Sequence, residues 1–99
     1  MKLRVGKRAQ RQADRIEEWW VENRPAAPSL FTDELEELFE HIRTTTAAGV
    51  RWPTSKRPDL RRILMPRTLN HIYFRVDEAK GVVHVLAVWG APRERGPRL

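Results

Sequence analysis

Residues 60–89, LRRILMPRTLNHIYFRVDEAKGVVHVLAVW, decide the fold, because side chains alternate with a period of two over 60–65 and 71–76 and an apolar stretch follows at 82–89. That period is typical of β-strands with one buried face. The predicted strands cover residues 60–65, 71–76 and 82–89, and a turn at 77–81 joins the last two. Short connections favour antiparallel neighbours, so we predict an antiparallel meander of three strands.

Two amphipathic helices are predicted before these strands. The first should stop near Asn23, because Pro25 disfavours helical geometry at the residue before it. Its apolar stripe consists of Ala9, Ala13, Ile16 and Trp20. The second should begin at Pro28 and end before Gly49. Its stripe consists of Phe31, Leu35, Leu38 and Ile42, with Phe39 beside them. A connection of about four residues predicts an antiparallel helical hairpin.

The remaining segments complete an α+β architecture. Residues 3–5 form a short β-prone piece, expected at the edge of the sheet, and residues 49–58 are predicted as a loop. The sheet and the hairpin each have one apolar face, so they must cover each other. We predict one domain over residues 1–99, with a helical hairpin on a three- to four-stranded antiparallel sheet. Residues 90–99 are predicted to be a basic, flexible tail.

The composition excludes several classes of protein. The 99 residues contain no cysteine, so disulfides, thiolate zinc sites and cysteine nucleophiles are excluded. The longest apolar stretch is too short to cross a bilayer, and no apolar segment follows the basic N-terminus as in a signal peptide. We therefore expect a cytoplasmic protein without a membrane partner. Nucleotide-binding and metal-binding motifs are lacking, and we predict neither cofactor nor metal.

The charge is basic and concentrated in the second half. Residues 50–99 carry eleven Lys and Arg against four Asp and Glu, and fifteen of the nineteen basic residues of the chain are arginine. The arginine fork suits phosphate and carboxylate groups equally. The charge therefore indicates a nucleic acid or an acidic protein segment as partner, without choosing between them.

Polar side chains on the predicted strands form a candidate site. By strict alternation His71, Tyr73 and Arg75 share one face. Strand register can bring His84 near these three, with Arg61 or Arg62 from the strand on the other side, so the candidates are Arg61, Arg62, His71, Tyr73, Arg75 and His84. A base, an acid and guanidinium groups are what metal-free RNA cleavage requires. The same residues also fit the solvated face of an antiparallel sheet, and both interpretations stay open.

The tryptophans and the C-terminal arginines are candidates for binding. Trp19 and Trp20 are about 100° apart on a helix, so they cannot both face the core. Trp20 continues the apolar stripe, whereas Trp19 either caps the hairpin or contacts a partner. Trp89 either closes the sheet core or anchors an interface. Arg93 and Arg95 belong to a solvated tail or reach phosphates or an acidic partner.

Two stretches resemble the RelE/ParE family of type II toxin–antitoxin toxins. They are ADRIEEWWVENRPAAPSLFTDELEELFEHI at 13–42 and LRRILMPRTLNHIYFRVDEAKGVVHVLAVWGAPRER at 60–95. The resemblance covers roughly residues 9–95. It rests on the order of Trp-Trp, Glu-Asn-Arg-Pro, Arg-Arg on a strand, Tyr-Phe-Arg-Val-Asp and a Val-rich strand.

This resemblance implies a compact α+β toxin with a role in plasmid or chromosomal stability. RelE-like members cleave mRNA on the ribosome, with basic residues on the sheet and commonly a Tyr or His near the C-terminus. ParE-like members poison DNA gyrase by binding it. Since no Tyr, His or Lys follows Trp89, we predict a gyrase-directed toxin. The alternative is a ribosome-dependent mRNA endoribonuclease, and the lowest-ranked is a non-toxic nucleic-acid-binding module.

The resemblance also implies a cognate antitoxin with an acidic or amphipathic C-terminal segment. Its acids are expected to meet basic residues of the sheet. The predicted residues for target or antitoxin binding are Arg61, Arg62, Arg67, Arg75, Trp89, Arg93 and Arg95.

Overall fold

The computed structural model describes residues 1–45, 47–91 and 96–99. Two helices pack on one face of a sheet, which confirms the predicted α+β class. In chain order the elements are β1 (Lys2–Val5), α1 (Lys7–Asn23), α2 (Leu30–Thr44), β2 (Val50–Arg51), β3 (Arg61–Met65), β4 (Asn70–Asp77) and β5 (Val82–Gly90). The described residues therefore hold five strands, one more than the largest number predicted.

The sheet has the order β1-β5-β4-β3-β2. Strands β3, β4 and β5 form the predicted antiparallel meander, and β1 joins the edge of β5 in parallel. The expectation of a loop over 49–58 is wrong at its start, because Val50 pairs with Arg62. A strand of two residues is too short to show a period. Gly49 permits this pairing because it has no Cβ. Its φ is +70°, and an added Cβ would lie only 2.6 Å from the Arg62 carbonyl oxygen.

The beginning of the second helix differs from the prediction. α1 ends at Asn23 as expected, whereas α2 begins at Leu30 rather than at Pro28. The α1–α2 connection forms two turns. The Ala27 N–H donates a hydrogen bond to the Arg24 carbonyl oxygen, and the Leu30 N–H donates one to the Ala27 carbonyl oxygen. These turns occupy the residues that the prediction assigned to the first helical turn.

The core lies between the helices and the sheet. Ala9 and Ala13 of α1 are buried, and Ile16 and Trp20 pack against the core as half-buried residues. From α2 the buried apolar residues are Phe31, Leu35 and Ile42. The sheet contributes Met65, Ile72, Phe74, Val83, Val85 and Val88. Both predicted helical stripes thus face the core.

A β-bulge in β5 changes which residues face the helices. Tyr73 pairs with Ala87 while Phe74 pairs with Val85, so Leu86 is left as the extra residue. Before the bulge Val83 and Val85 lie in the helix-side core, and after it Val88 does. Trp89 consequently packs on the opposite side of the sheet.

That opposite side, called the open face here, carries a smaller apolar cluster. Its members are Leu60, Tyr73 and Ala87, with Leu86, Trp89 and Leu99 packed against them. Residues 96–99 return to the open face, where Leu99 packs in this cluster, and an Arg8 guanidinium nitrogen of α1 donates a hydrogen bond to the Arg98 carbonyl oxygen. Gly90, which was assigned to the tail, belongs to β5. The mobility of the tail stays a prediction. Neither described helix has the length and apolarity needed to cross a membrane.

Candidate functional site

The ten predicted site residues do not form one site. Arg93 and Arg95 lie outside the described residues. Of the other eight, Arg61 lies on the helix side, and Arg67 lies in the β3–β4 turn. The open face divides the rest into a central group, Arg62, His71, Tyr73 and Trp89, and a pair at its far end, Arg75 and His84.

Arg61 has a structural role. It is paired with Phe74, so its side chain leaves the sheet on the helix side. Its Nε donates to the Ala48 carbonyl oxygen at 3.0 Å, and its Nη2 donates to the carbonyl oxygens of Gly49 at 3.2 Å and Ala47 at 3.4 Å. Charged donors on carbonyl groups satisfy backbone that has no strand partner. Arg61 therefore holds the α2–β2 connection rather than facing a ligand.

Arg62, His71 and Tyr73 do come together in the centre of the open face. The Arg62 Nη1 lies 3.4 Å from the Tyr73 hydroxyl, and the rings of His71 and Tyr73 meet edge to face with centroids 6.0 Å apart. The Arg62 guanidinium also stacks on Trp52, with its central carbon 3.4 Å from the ring centroid. Partial burial and the charge of Arg62 lower the pKa of His71. The imidazole is thus neutral near pH 7.

The Tyr73 hydroxyl is nonetheless closed to a substrate. Tyr73 is only 3% exposed and belongs to the buried cluster of the open face. The backbone of Gly96 lies directly against it, since a Cβ added there would be 3.1 Å from the hydroxyl oxygen. The central group has the right residue types for acid–base chemistry, but the end of the chain covers its hydroxyl.

Arg75 and His84 belong to a separate, highly basic depression. His84 pairs with Arg75 on one side and with Arg4 of β1 on the other, so these three side chains form one row across three strands. The depression, called the cationic cleft here, has a volume of about 430 Å³. Its polar lining consists of Lys2, Arg4, Arg75, Asp77, Lys80 and His84.

The cationic cleft is not neutralised from within. Its one acid, Asp77, accepts a hydrogen bond from the Lys80 N–H at 3.1 Å. Over residues 1–45, 47–91 and 96–99 the sole ion pair joins Arg43 to Glu40, and neither residue lines the cleft. Partial burial lowers the pKa of His84, and so do Arg75, Arg4 and Lys80, against the opposing charge of Asp77. A neutral imidazole therefore lies between two guanidinium groups.

An apolar groove runs between α1 and the β3–β4 turn. Its volume is about 650 Å³. The groove, called the tryptophan groove here, is lined by Arg15, Ile16, Trp19, Trp20, Arg24, Arg67, Thr68, Leu69, Asn70 and Gly90. Trp19 is 46% exposed and Leu69 is 52% exposed. Exposed apolar side chains of this size, rimmed by charge, mark interaction surfaces.

Two sets of contacts make the tryptophan groove rigid. On its helical side the Arg24 guanidinium lies over Trp19, 4.9 Å from the ring centroid, and Trp19 meets Trp20 edge to face at 5.7 Å. On its other side Glu34 of α2 accepts three hydrogen bonds from the β3–β4 turn. They come from the Arg67 N–H at 2.7 Å, the Thr68 N–H at 3.0 Å and the Thr68 hydroxyl at 2.8 Å.

Glu34 and Leu69 were missed by the sequence reasoning. Glu34 is 3% exposed, so its carboxylate is buried beneath the β3–β4 turn. Its position was a usable signal, because it lies three residues after Phe31 and next to Leu35, on the apolar stripe. A buried carboxylate requires hydrogen-bond donors. Leu69 gave no signal, since its φ of +59° and its exposure depend on the turn that Glu34 holds.

Comparisons with known proteins agree with this fold. The family model described as "ParE toxin of type II toxin-antitoxin system, parDE" matches residues 3–94. A solved structure described as "Chromosomal ParDE TA system from P. aeruginosa" has a TM-score of 0.71 and 19% sequence identity, over 91% of this chain and 95% of that chain. The search of the curated proteins gave no match. Because the family model matches nearly the whole chain, this protein belongs to the ParE family of type II toxin–antitoxin toxins.

Proposed function

We propose that this ParE-family toxin arrests growth by binding DNA gyrase in the cytoplasm and that a cognate antitoxin neutralises it. The observation that carries the non-enzymatic part is the burial of Tyr73, which is 3% exposed and has the Gly96 backbone against its hydroxyl. A general acid or base must reach the proton that it transfers. The central group would have to lose its covering chain end before it could contact an RNA phosphate.

The alternative, a ribosome-dependent mRNA endoribonuclease, rests on one observation. Arg62, Tyr73 and a neutral His71 share the centre of the open face. His84 and Arg75 do not complete that group, because they pair with each other at the far end of the strands. This arrangement supports a binding role for the open face more than catalysis.

The tryptophan groove is the surface that we propose for the antitoxin. Trp19 and Leu69 supply exposed apolar contact area, and Arg15, Arg24 and Arg67 surround it with positive charge. An amphipathic segment with an acidic face would bury its apolar side chains between Trp19 and Leu69 while its carboxylates meet the arginines. Of the described residues predicted for antitoxin binding, Arg67 is the one that lines this groove.

The test of the target is induced expression in bacteria that lack the antitoxin. We expect growth arrest with impaired supercoiling and broken DNA, while mRNA at ribosomes stays intact. The double variant His71→Gln/Tyr73→Phe should arrest growth as strongly as the wild type. His41→Gln, at an exposed position of α2, is the matched control.

Three results would contradict the proposal in different ways. Cleaved mRNA with normal supercoiling, lost in the His71→Gln/Tyr73→Phe variant and kept in His41→Gln, would establish the ribonuclease. Unarrested growth with a folded, soluble protein would favour the non-toxic nucleic-acid-binding module. Arrest with intact supercoiling and intact mRNA would indicate a different target.

A further inference from the structure

We propose that the cationic cleft is a binding site for the sugar–phosphate backbone of a nucleic acid. This inference goes beyond the proposed function and does not depend on which target the toxin has. It concerns Lys2, Arg4, Arg75 and Lys80 around His84, at the end of the open face near the β4–β5 turn.

Strand pairing fixes the positions of the cations around the cleft. Arg4, His84 and Arg75 lie directly opposite one another on β1, β5 and β4. Adjacent strands are about 4.8 Å apart, so the two arginines are held roughly 10 Å apart with His84 between them. Lys2 lies two residues before Arg4 on the same side of β1, and Lys80 lies in the adjoining turn. Lys2 and Arg4 therefore lie on one side of the cleft, and Arg75 and Lys80 lie on the other.

These cations lack ion-pair partners among residues 1–45, 47–91 and 96–99, where the single ion pair is that of Arg43 with Glu40. Four cations line this one depression with a single carboxylate, so the positive charges repel one another. The one nearby carboxylate, on Asp77, is directed to the Lys80 backbone. An anion in the cleft would supply the missing negative charge, and several cations suit an anion with several charges.

The surroundings of the cleft favour a nucleic acid over an acidic protein. Protein partners bind through a buried core of apolar or aromatic anchors. Among the described residues that line the cleft, the one apolar side chain, that of Val82, is buried. Binding of a sugar–phosphate backbone requires no such anchor, because it is dominated by contacts of arginine and lysine with phosphates.

The experiment measures binding of the full chain to a fluorescein-labelled DNA duplex of about 20 base pairs, by anisotropy between about 50 and 200 mM salt. A single-stranded RNA of equal length distinguishes the source of the backbone. The variant Arg4→Gln/Arg75→Gln should weaken nucleic-acid binding about tenfold near 100 mM salt. The slope of log affinity against log salt should fall in magnitude by about two, one for each lost phosphate contact.

The matched control removes two charges elsewhere. Arg51→Gln/Lys56→Gln alters exposed residues outside the cleft and has the same net charge as the cleft variant. We expect it to change affinity less than about threefold. If the Arg4→Gln/Arg75→Gln variant fails to fold, Lys2→Gln/Lys80→Gln replaces two exposed lysines of the cleft and should show the same trend.

Three outcomes would overturn the proposal. Equal loss in the control and cleft variants would mean that diffuse charge binds the nucleic acid. Unchanged affinity in both cleft variants would place the contact elsewhere. Binding of polyglutamate that is lost in the cleft variants, without measurable binding of DNA or RNA, would assign the cleft to an acidic protein. None of these outcomes bears on gyrase inhibition, which the expression experiment tests separately.

Discussion

The tryptophan groove and the cationic cleft are both basic, but they differ in what surrounds their charge. In the groove, Arg24 lies over Trp19, and Leu69 is exposed opposite. In the cleft, Arg4 and Arg75 have only a neutral histidine between them. Positive charge indicates that a partner is anionic, whereas exposed apolar surface indicates that the partner is a protein. The same residue type therefore serves two classes of partner.

The largest expected effect is a loss of stability from a substitution beneath the tryptophan groove that leaves the cationic cleft unchanged. Glu34→Ala removes the acceptor of three hydrogen bonds and leaves the N–H groups of Arg67 and Thr68 unpaired. We expect the free energy of unfolding to fall by about 3 kcal/mol. Urea denaturation checks this, with the exposed Glu37→Ala as control, where less than about 0.5 kcal/mol is expected. Equal losses in the two variants would mean that the turn does not depend on Glu34.

The second-largest expected effect concerns Arg61, which lines neither the tryptophan groove nor the cationic cleft. Arg61→Ala removes the donors to the carbonyl oxygens of Ala48 and Gly49, so we expect a loss of stability of about 2 kcal/mol. Arg62→Ala, its neighbour, loses a stacking contact with the exposed Trp52 and the 3.4 Å contact with the Tyr73 hydroxyl, so it should cost about 1 kcal/mol. Thermal denaturation of the two variants compares them. A larger loss for Arg62→Ala would reverse their assignment.

A third prediction tests the groove as a protein-binding surface. Trp19→Ala should weaken antitoxin binding by about 2 kcal/mol, or about thirtyfold, because exposed tryptophans at interface centres dominate binding. DNA binding should stay unchanged. The control is Val21→Ala, another exposed apolar residue of α1 that does not line the groove. Calorimetric titration with the antitoxin from the same operon measures the difference. Unaltered affinity in Trp19→Ala would exclude the groove as the antitoxin site.

The smallest effect is a pH dependence confined to the cleft. His84 faces Arg4 on β1, Arg75 and Asp77 on β4, and Lys80 in the turn, and in the free protein its pKa is lowered. A bound phosphate would favour the protonated imidazole, so binding takes up a proton and affinity rises as pH falls. We expect DNA affinity to increase about threefold from about pH 7.5 to 5.5.

His84→Gln should remove this pH dependence. His71→Gln should retain it, because His71 pairs with Trp89 in the centre of the open face rather than lining the cleft. Anisotropy with the same DNA duplex measures both variants. A pH dependence that survives in His84→Gln and disappears in His71→Gln would move the contact to the centre of the open face.

Much of the fold could be predicted because local periods agree with the tertiary arrangement. The stripes at Ala9 and Phe31 face the core as their spacing indicated. Alternation also placed His71, Tyr73 and Arg75 on one face correctly, as the strand register shows. The beginning of α2 could not be predicted, since backbone hydrogen bonds of the connection compete with the first helical turn. The strand at Val50 depends on its pairing with Arg62, which two residues cannot signal.

The candidate sites depended more on tertiary structure than the fold did. The sequence by itself determined the helical stripes, the meander and the excess of arginine, because these are properties of spacing and composition. Only the tertiary structure decided that Arg61 holds backbone while Arg62 faces the open side, and that a bulge after Val85 directs Trp89 there. It also decided which cations lack a counter-charge. Register, bulges and turns place residues distant in sequence side by side, and such neighbours leave no local period to read.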